Sequence, residues 1–268
     1  MLISNFTARS GLIAQQQRLD VIGNNMANIS TAGYKSVRAD FADMLYTTMV
    51  RPAESEEELN LERGHGVLLS ATTRSFQQGA SQLSGLPLDF MLSGEGFFTV
   101  QDAAGNTRYT RDGSFAISKE DDGNFLVTQT GNYVLNTNGE RINLQNANDS
   151  KVEVDQDGRI FIQVYTEATE TAPASTERVA VGQLGIAKFM NKKGLDAVSG
   201  NLFAQTDVSG EAEADADTKV QQGMLEMSNV DLAVVMTRMI RAQRAFSLAA
   251  RALTTADEMD QKSIQIRS

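Results

Sequence analysis

The chain of 268 residues has no cysteine, no tryptophan, three prolines and a single histidine. Without cysteine there is no disulfide, no thiolate metal ligand and no cysteine nucleophile. His65, helped only by carboxylates, is a poor basis for a zinc site. No G-x-S-x-G elbow accompanies it, so a serine triad is unsupported and His65 reads as a solvated loop residue. Basic charge is scarce too: 24 Lys and Arg stand against 34 Asp and Glu, a net −10. The basic stripe of a nucleic-acid binder is missing. No apolar run approaches the ~20 residues of a membrane span, so no direct lipid binding is expected. Residues 1–9 lack a basic stretch leading into an apolar core, so no cleaved signal peptide is expected. Hydrophobic residues still make up 41% of the chain. That suits a folded protein, and the length permits two or three domains.

What is present is organised by period. Near the start, Leu12, Leu19 and Met26 recur every seven residues. Ile22 lies between them, and Leu2, Phe6 and Ile13 extend the stripe, which is one apolar face of a helix. Gly23-Asn24-Asn25 is expected to weaken that helix. The next residues, 28–34, read as a turn with Gly33 at positive φ. Asn24, Asn25 and Asn28 suit backbone groups left open at a helix end. Phe41, Met44 and Leu45 suggest a short helical or extended piece. Residues 51–66, with Glu54, Glu56, Glu57 and Glu58, read as a solvated loop or an extended arm. At the other end, Ser228-Asn229 reads as a helix N-cap and Asp231 complements the helix dipole. Leu232, Met239, Phe246 and Leu253 share one heptad position, and Val235, Ala242, Ala249 and Ala256 the second. No Gly or Pro interrupts residues 230–268. This is the pattern of a coiled-coil seam.

Between the ends the period falls to two. Short β-rich runs alternate with turns such as Ala104-Gly105-Asn106, Asp121-Asp122-Gly123-Asn124 and Asn138-Gly139. Gly94-Glu95-Gly96 reads as a strand-entry turn, because no helix and no Lys of a phosphate loop follow. Asp155-Gln156-Asp157-Gly158 reads as a β-turn, since the twelfth position of a calcium loop would be Thr166. The acidic stretch 211–217 reads as a solvated linker.

The expected fold is α+β, mainly β in its core. Paired N- and C-terminal amphipathic helices form a coiled-coil domain around a central antiparallel β domain. The expected boundaries are an N-terminal helical domain at 1–45, an extended arm or connector at 46–72, the β domain at 73–210, a linker at 211–227 and a C-terminal helix at 228–268. Periodicity leaves two arrangements open. The helix pair packs on its own β domain, or further copies cover the apolar residues off the main seam, Val234, Ile240 and Leu248.

Specific motifs add to this. The run Asn25-Met26-Ala27-Asn28-Ile29-Ser30-Thr31-Ala32-Gly33-Tyr34 fits N-x-A-N-x-x-T-x-G-[FY], and Lys35 follows it. Near the C-terminus stand Gln222-Gly223-Met224-Leu225-Glu226, Ser228-Asn229-Val230-Asp231 and Gln243-Arg244-Ala245-Phe246. Between them lie Gly94-Glu95-Gly96-Phe97-Phe98 and Tyr109-Thr110-Arg111-Asp112-Gly113. Over essentially its whole length the chain resembles the bacterial flagellar basal-body rod and hook axial proteins. Its size, with one β domain, is most like the distal rod members, and the arm at 46–66 resembles their extended insertion. Two positions depart from the common pattern: Lys192, where many relatives have Pro, and Val235, where relatives often have an acidic residue.

The resemblance implies a self-assembling structural subunit of a hollow helical tube that transmits torque and encloses an export channel. Alternatives within the class are a proximal rod, hook-related or rod-like paralogue. From a different class, a non-polymerising β-domain binding module is the competing reading. No enzyme activity, cofactor or metal is implied. The implied partners are copies of itself, other rod and hook proteins and the flagellar type III export apparatus, with no nucleic acid. The implied location is the basal body beyond the inner membrane. Packing residues are expected to be Leu12, Leu19, Ile22, Met26, Leu232, Val235, Met239, Ala242, Phe246, Ala249 and Leu253. Signature residues are Asn25, Ala27, Asn28, Thr31, Gly33, Tyr34, Ser228, Asn229, Gln243 and Arg244.

Overall fold

Helix α1 spans Leu2–Ala27 and helix α2 spans Leu232–Arg267 in a computed structural model. The structure describes residues 2–48, 62–120, 123–144, 152–166, 175–215 and 217–267. The chain divides into two units. One comprises Met1–Ala27, Ser36–Ser75 and Val230–Ser268, and the other Asn28–Lys35 and Phe76–Asn229.

In the helical unit, α1 does not weaken at Gly23 but continues through Asn24 and Asn25 to Ala27. A glycine inside a helix costs only about 1 kcal/mol relative to alanine. Asn25 supplies an offsetting tie. Its side-chain carbonyl accepts from the Val37 N–H at 2.8 Å, and its amide donates to the Val37 carbonyl at 2.7 Å. At the other end, α2 begins later than the Ser228-Asn229 cap implied. Asp231 is the cap, its carboxylate accepting from the N–H groups of Ala233 and Val234 at 2.9 and 3.2 Å.

The expected helical domain at 1–45 also contains a strand. Val37–Asp43 pairs antiparallel with Val67–Arg74, with a register shift between Asp40 and Phe41. The β-branched residues of 67–74 favour this pairing. Tyr46–Thr48 pairs with Glu62–Gly64, so the described flanks of the arm are strands. The rest of the arm, residues 49–61 with Glu54, Glu56, Glu57 and Glu58, lies outside the described residues. His65 is half-buried between the strands Glu62–Gly64 and Val67–Arg74.

In the β unit, Phe97–Gln101 is the centre of a nine-stranded sheet. It pairs with Thr107–Thr110, Tyr133–Val134 and Ile186–Lys188. Successive side chains on a strand point to opposite faces. Phe97 and Phe98 therefore enter different clusters, and both are fully buried. Phe98 joins Val100, Leu126 and Val134 in a core shared with Val152, Ile160 and Ile162. The last three come from a second, three-stranded sheet of Val152–Val154, Arg159–Thr166 and Ser175–Gln183. Phe97 meets Phe76, Phe189 and Phe203 edge-on, with ring centroids 5.6 to 5.9 Å apart. Each such pair adds about 0.5–1.5 kcal/mol beyond its buried area.

The linker expected at 211–227 is not a linker. Glu213–Ala214 pairs with Ile186–Lys188, Lys219–Gln222 with Phe90–Ser93, and Met224–Glu226 with Ser81–Leu83. The acidic composition of 211–217 hid two facts: Val220 is buried in the main core, and Glu226 is buried as well.

Candidate assembly seam and signature cluster

Inside the helical unit, α1 and α2 meet along one seam. Ile22 of α1 is buried against Val235 and Ala242 of α2, with Leu19, Met26, Val230 and Met239 packed around them. The small side chain of Ala242 lets the helices approach, and Val235 extends the apolar contact. Leu12, Ala249 and Leu253 are half-buried. Leu232 and Phe246 stand apart from this line, 44% and 37% exposed. At 100° per residue Leu232 lies about 60° around the helix from Val235, and Phe246 about 40° from Ala242. The heptad therefore presents two adjacent lines: α1 covers the second and, at Met239, part of the first, leaving Leu232 and Phe246 open.

The first signature folds as a turn. The Asn28 carbonyl accepts from the Thr31 N–H at 3.3 Å, and the Thr31 hydroxyl donates to the Asn28 side chain at 3.3 Å. Gly33 has φ +68°, and a Cβ there would lie 2.5 Å from the Asp112 nitrogen. Both conditions demand glycine. Its N–H donates to the Glu226 carbonyl at 2.8 Å, and Tyr34 beside it is buried. The second signature joins the same knot. The Asn229 N–H donates to the Tyr34 carbonyl at 3.4 Å, and the Asn229 side-chain amide donates to the Gln77 carbonyl at 3.0 Å. Ser228 is buried, whereas Ala27, Gln243 and Arg244 are exposed and take no part in this cluster.

Sequence reading missed what lies at the centre. Lys35, Arg111 and Glu226 are almost wholly buried. The Lys35 ammonium contacts Glu226 Oε1 at 2.5 Å, and Arg111 Nη1 contacts Glu226 Oε2 at 3.2 Å. Oε1 also accepts from the Gly79 N–H at 2.8 Å. Lys35 donates further to the Gln77 carbonyl at 2.8 Å, and Arg111 to the Gly94 carbonyl at 2.9 Å. The Arg111 guanidinium lies 5.0 Å from the Phe97 ring centroid. Burial holds the Lys35 ammonium below its usual range, against the opposing pull of Glu226. Burial lowers Arg111 likewise, with Glu226 the main counterweight. All three residues stood in the motifs quoted above. Their only signal was a charge at each of three positions flanked by residues that bury, such as Tyr34 and Tyr109.

Among the described residues no three His, Cys, Asp or Glu side chains gather as metal ligands. No described helix is long and apolar enough to cross a membrane. Lys192 pairs with Glu95 at 2.5 Å. Paired end helices and a β unit fastened by a buried charge cluster characterise a structural subunit.

Three family descriptions match the chain in order: flagella basal body rod protein over residues 7–35, flagellar hook protein FlgE/F/G D1 domain over 91–162, and flagellar basal body rod FlgEFG protein C-terminal over 221–266. The flagellar basal-body rod protein FlgG of Borreliella burgdorferi is 36% identical over 270 residues, covering 97% of this chain and 96% of its own. FlgG of Bacillus subtilis is 34% identical over 277 residues and the full length of both chains. The flagellar hook-basal body complex protein FlhP of the same organism is 30% identical over 274 residues, 97% of each chain. The chain belongs to the flagellar basal-body rod protein family and is a structural subunit of the rod.

Proposed function

We propose that this subunit polymerises, in the manner of a distal rod protein, into a hollow helical tube that transmits torque and encloses the export channel. The observation carrying this reading is the apolar surface of α2 that α1 leaves open. Leu232, Val234, Met236, Ile240, Leu248, Met259, Ile264 and Ile266 are all exposed. At 1.5 Å per residue the 36 residues of α2 reach about 54 Å, against about 39 Å for the 26 of α1. A lone subunit is left with apolar rows that copies of itself are suited to cover. In this reading α1 and α2 pair as a coiled coil in the tube core and the β unit faces outward. The arm at 46–66 stiffens contacts between neighbours. The protein has no enzymatic role and binds no nucleic acid or lipid. It leaves the cell body through the flagellar export apparatus with its N-terminus intact, and meets other rod and hook proteins at its ends.

The test is sedimentation and negative-stain imaging of the full chain at rising concentration. Tubes or elongated polymers are expected, and the I240E/L248E variant should stay folded and monomeric. Wild-type protein that keeps one small size at every concentration overturns the reading. The FlhP relative favours a rod-like paralogue as the second reading. Restoring motility to a strain lacking its distal rod subunit separates the two.

A further inference from the structure

Charge is divided unevenly along the chain. The helical unit contains 12 basic and 12 acidic residues, the β unit 12 basic and 22 acidic. The net charge of −10 therefore belongs to the β unit. Within α2, residues 232–256 include Arg238, Arg241, Arg244 and Arg251 and no carboxylate.

Two of these arginines line a groove of about 460 Å³ bounded by α1, α2 and the strand Val37–Asp43. Arg18 and Arg38 contribute two more guanidinium groups, and Val235 and Ala242 form apolar lining. Arg38 is engaged by Asp40 at 2.7 Å, and Arg18 lies 4.8 Å from the Phe41 ring centroid. Arg238 and Arg241 are exposed and make no ion pair among the described residues. Guanidinium groups beside apolar surface suit planar carboxylates, which they bind in two-point fashion.

The chain itself offers a segment of matching chemistry. Glu211 and Glu213 are exposed, with alanines between and beyond them. Glu213–Ala214 forms a strand whose only partner among the described residues is Ile186–Lys188, so its other edge is open. Glu211 lies in the coil two residues before Glu213, so their Cα atoms are at most about 7 Å apart. Arg238 and Arg241, three apart on a helix, present Cβ atoms about 5–6 Å apart. The spacings correspond.

We propose that the arginine groove receives the 211–213 segment of a second copy of this chain, with Arg238 and Arg241 gripping Glu211 and Glu213. The proposal rests on the self-assembly reading above and adds which surfaces meet. Groove and segment are different patches, so the contact is head-to-tail, the kind that builds an open helical polymer whenever the rotation between copies does not close a ring.

The full chain and two charge-reversed variants, R238E/R241E and E211R/E213R, test it by sedimentation velocity and imaging. Urea unfolding monitors the fold, which exposed substitutions should leave intact. Each variant alone should need roughly tenfold more protein, or greater, to polymerise. Mixed in equal amounts they should copolymerise near the wild-type concentration, because each supplies the charge its neighbour lacks. Variants that polymerise alone like wild type overturn the proposal while self-assembly stands. A mixture as inert as its components overturns it too, since the defect then lies within single chains. Wild-type protein that never polymerises overturns both readings.

Discussion

Glu226 offers one carboxylate to two buried cations, and that imbalance makes it the most consequential side chain in the β unit. Glu95 and Asp215 also act on Arg111 at longer range, less strongly than Glu226 does. Removing one partner of a buried pair costs about 3–5 kcal/mol, because the charge left behind has no water to turn to. E226Q is expected to lose about that much in urea unfolding followed by circular dichroism. Lys35 gives the cluster a pH signature. Its folded pKa lies below the ordinary 10.5, so near that pH the unfolded chain binds its proton more tightly than the folded one. Stability from this group therefore rises as pH climbs through the window below 10.5 and levels off above it. The urea midpoint of K35M, compared with wild type from about pH 8 to about pH 10, should lack this rise. At Gly33 the constraint is steric. The G33A substitution meets both a left-handed backbone and the Asp112 nitrogen at 2.5 Å. A loss of about 2 kcal/mol or more is expected by the same unfolding assay.

The element scale is set by α1 and α2. Truncation at Ile22 opens a cavity against Val235 and Ala242, so I22A should lower stability by about 2–5 kcal/mol. Enlarging Ala242, which is 2% exposed, should push the helices apart, and A242L is expected to cost about 1–3 kcal/mol. By contrast L248A, at an exposed site, should change unfolding by no more than about 0.5 kcal/mol while weakening polymerisation. Both helices and their apolar periodicity were legible in the sequence. Which line of the heptad faces α1 was not, because residues 232–253 carry apolar groups on more than one flank. The ends were misjudged for local reasons: Asn25 sustains α1 beyond Gly23, and Asp231 caps α2 in place of Ser228-Asn229.

For the whole molecule, the separation of charge between the units predicts salt sensitivity. Raising ionic strength from 0.1 to 1 M shortens the screening length from about 10 Å to about 3 Å. Polymerisation measured by light scattering should weaken with added salt if the arginine groove contributes as proposed, and R238A/R241A should flatten that response. At this scale the β rhythm was readable, turn by turn, since hairpins such as Phe115–Glu120 with Gly123–Thr128 are local. The final strands were not, because they are only three or four residues long, follow the acidic stretch 211–217 and are divided by Gly223. Nor was the charge cluster, whose members Lys35 and Glu226 are 191 residues apart.

That separation governs timing. A chain made or threaded from its N-terminus presents Lys35 first, Arg111 next and Glu226 near the end. Until Glu226 arrives, two cations would have to enter the interior without an anion, and closing so long a loop is slow in itself. The β unit therefore cannot complete its buried charge cluster until residue 226 is in place, and a chain lacking its last strands keeps Lys35 and Arg111 without their anion.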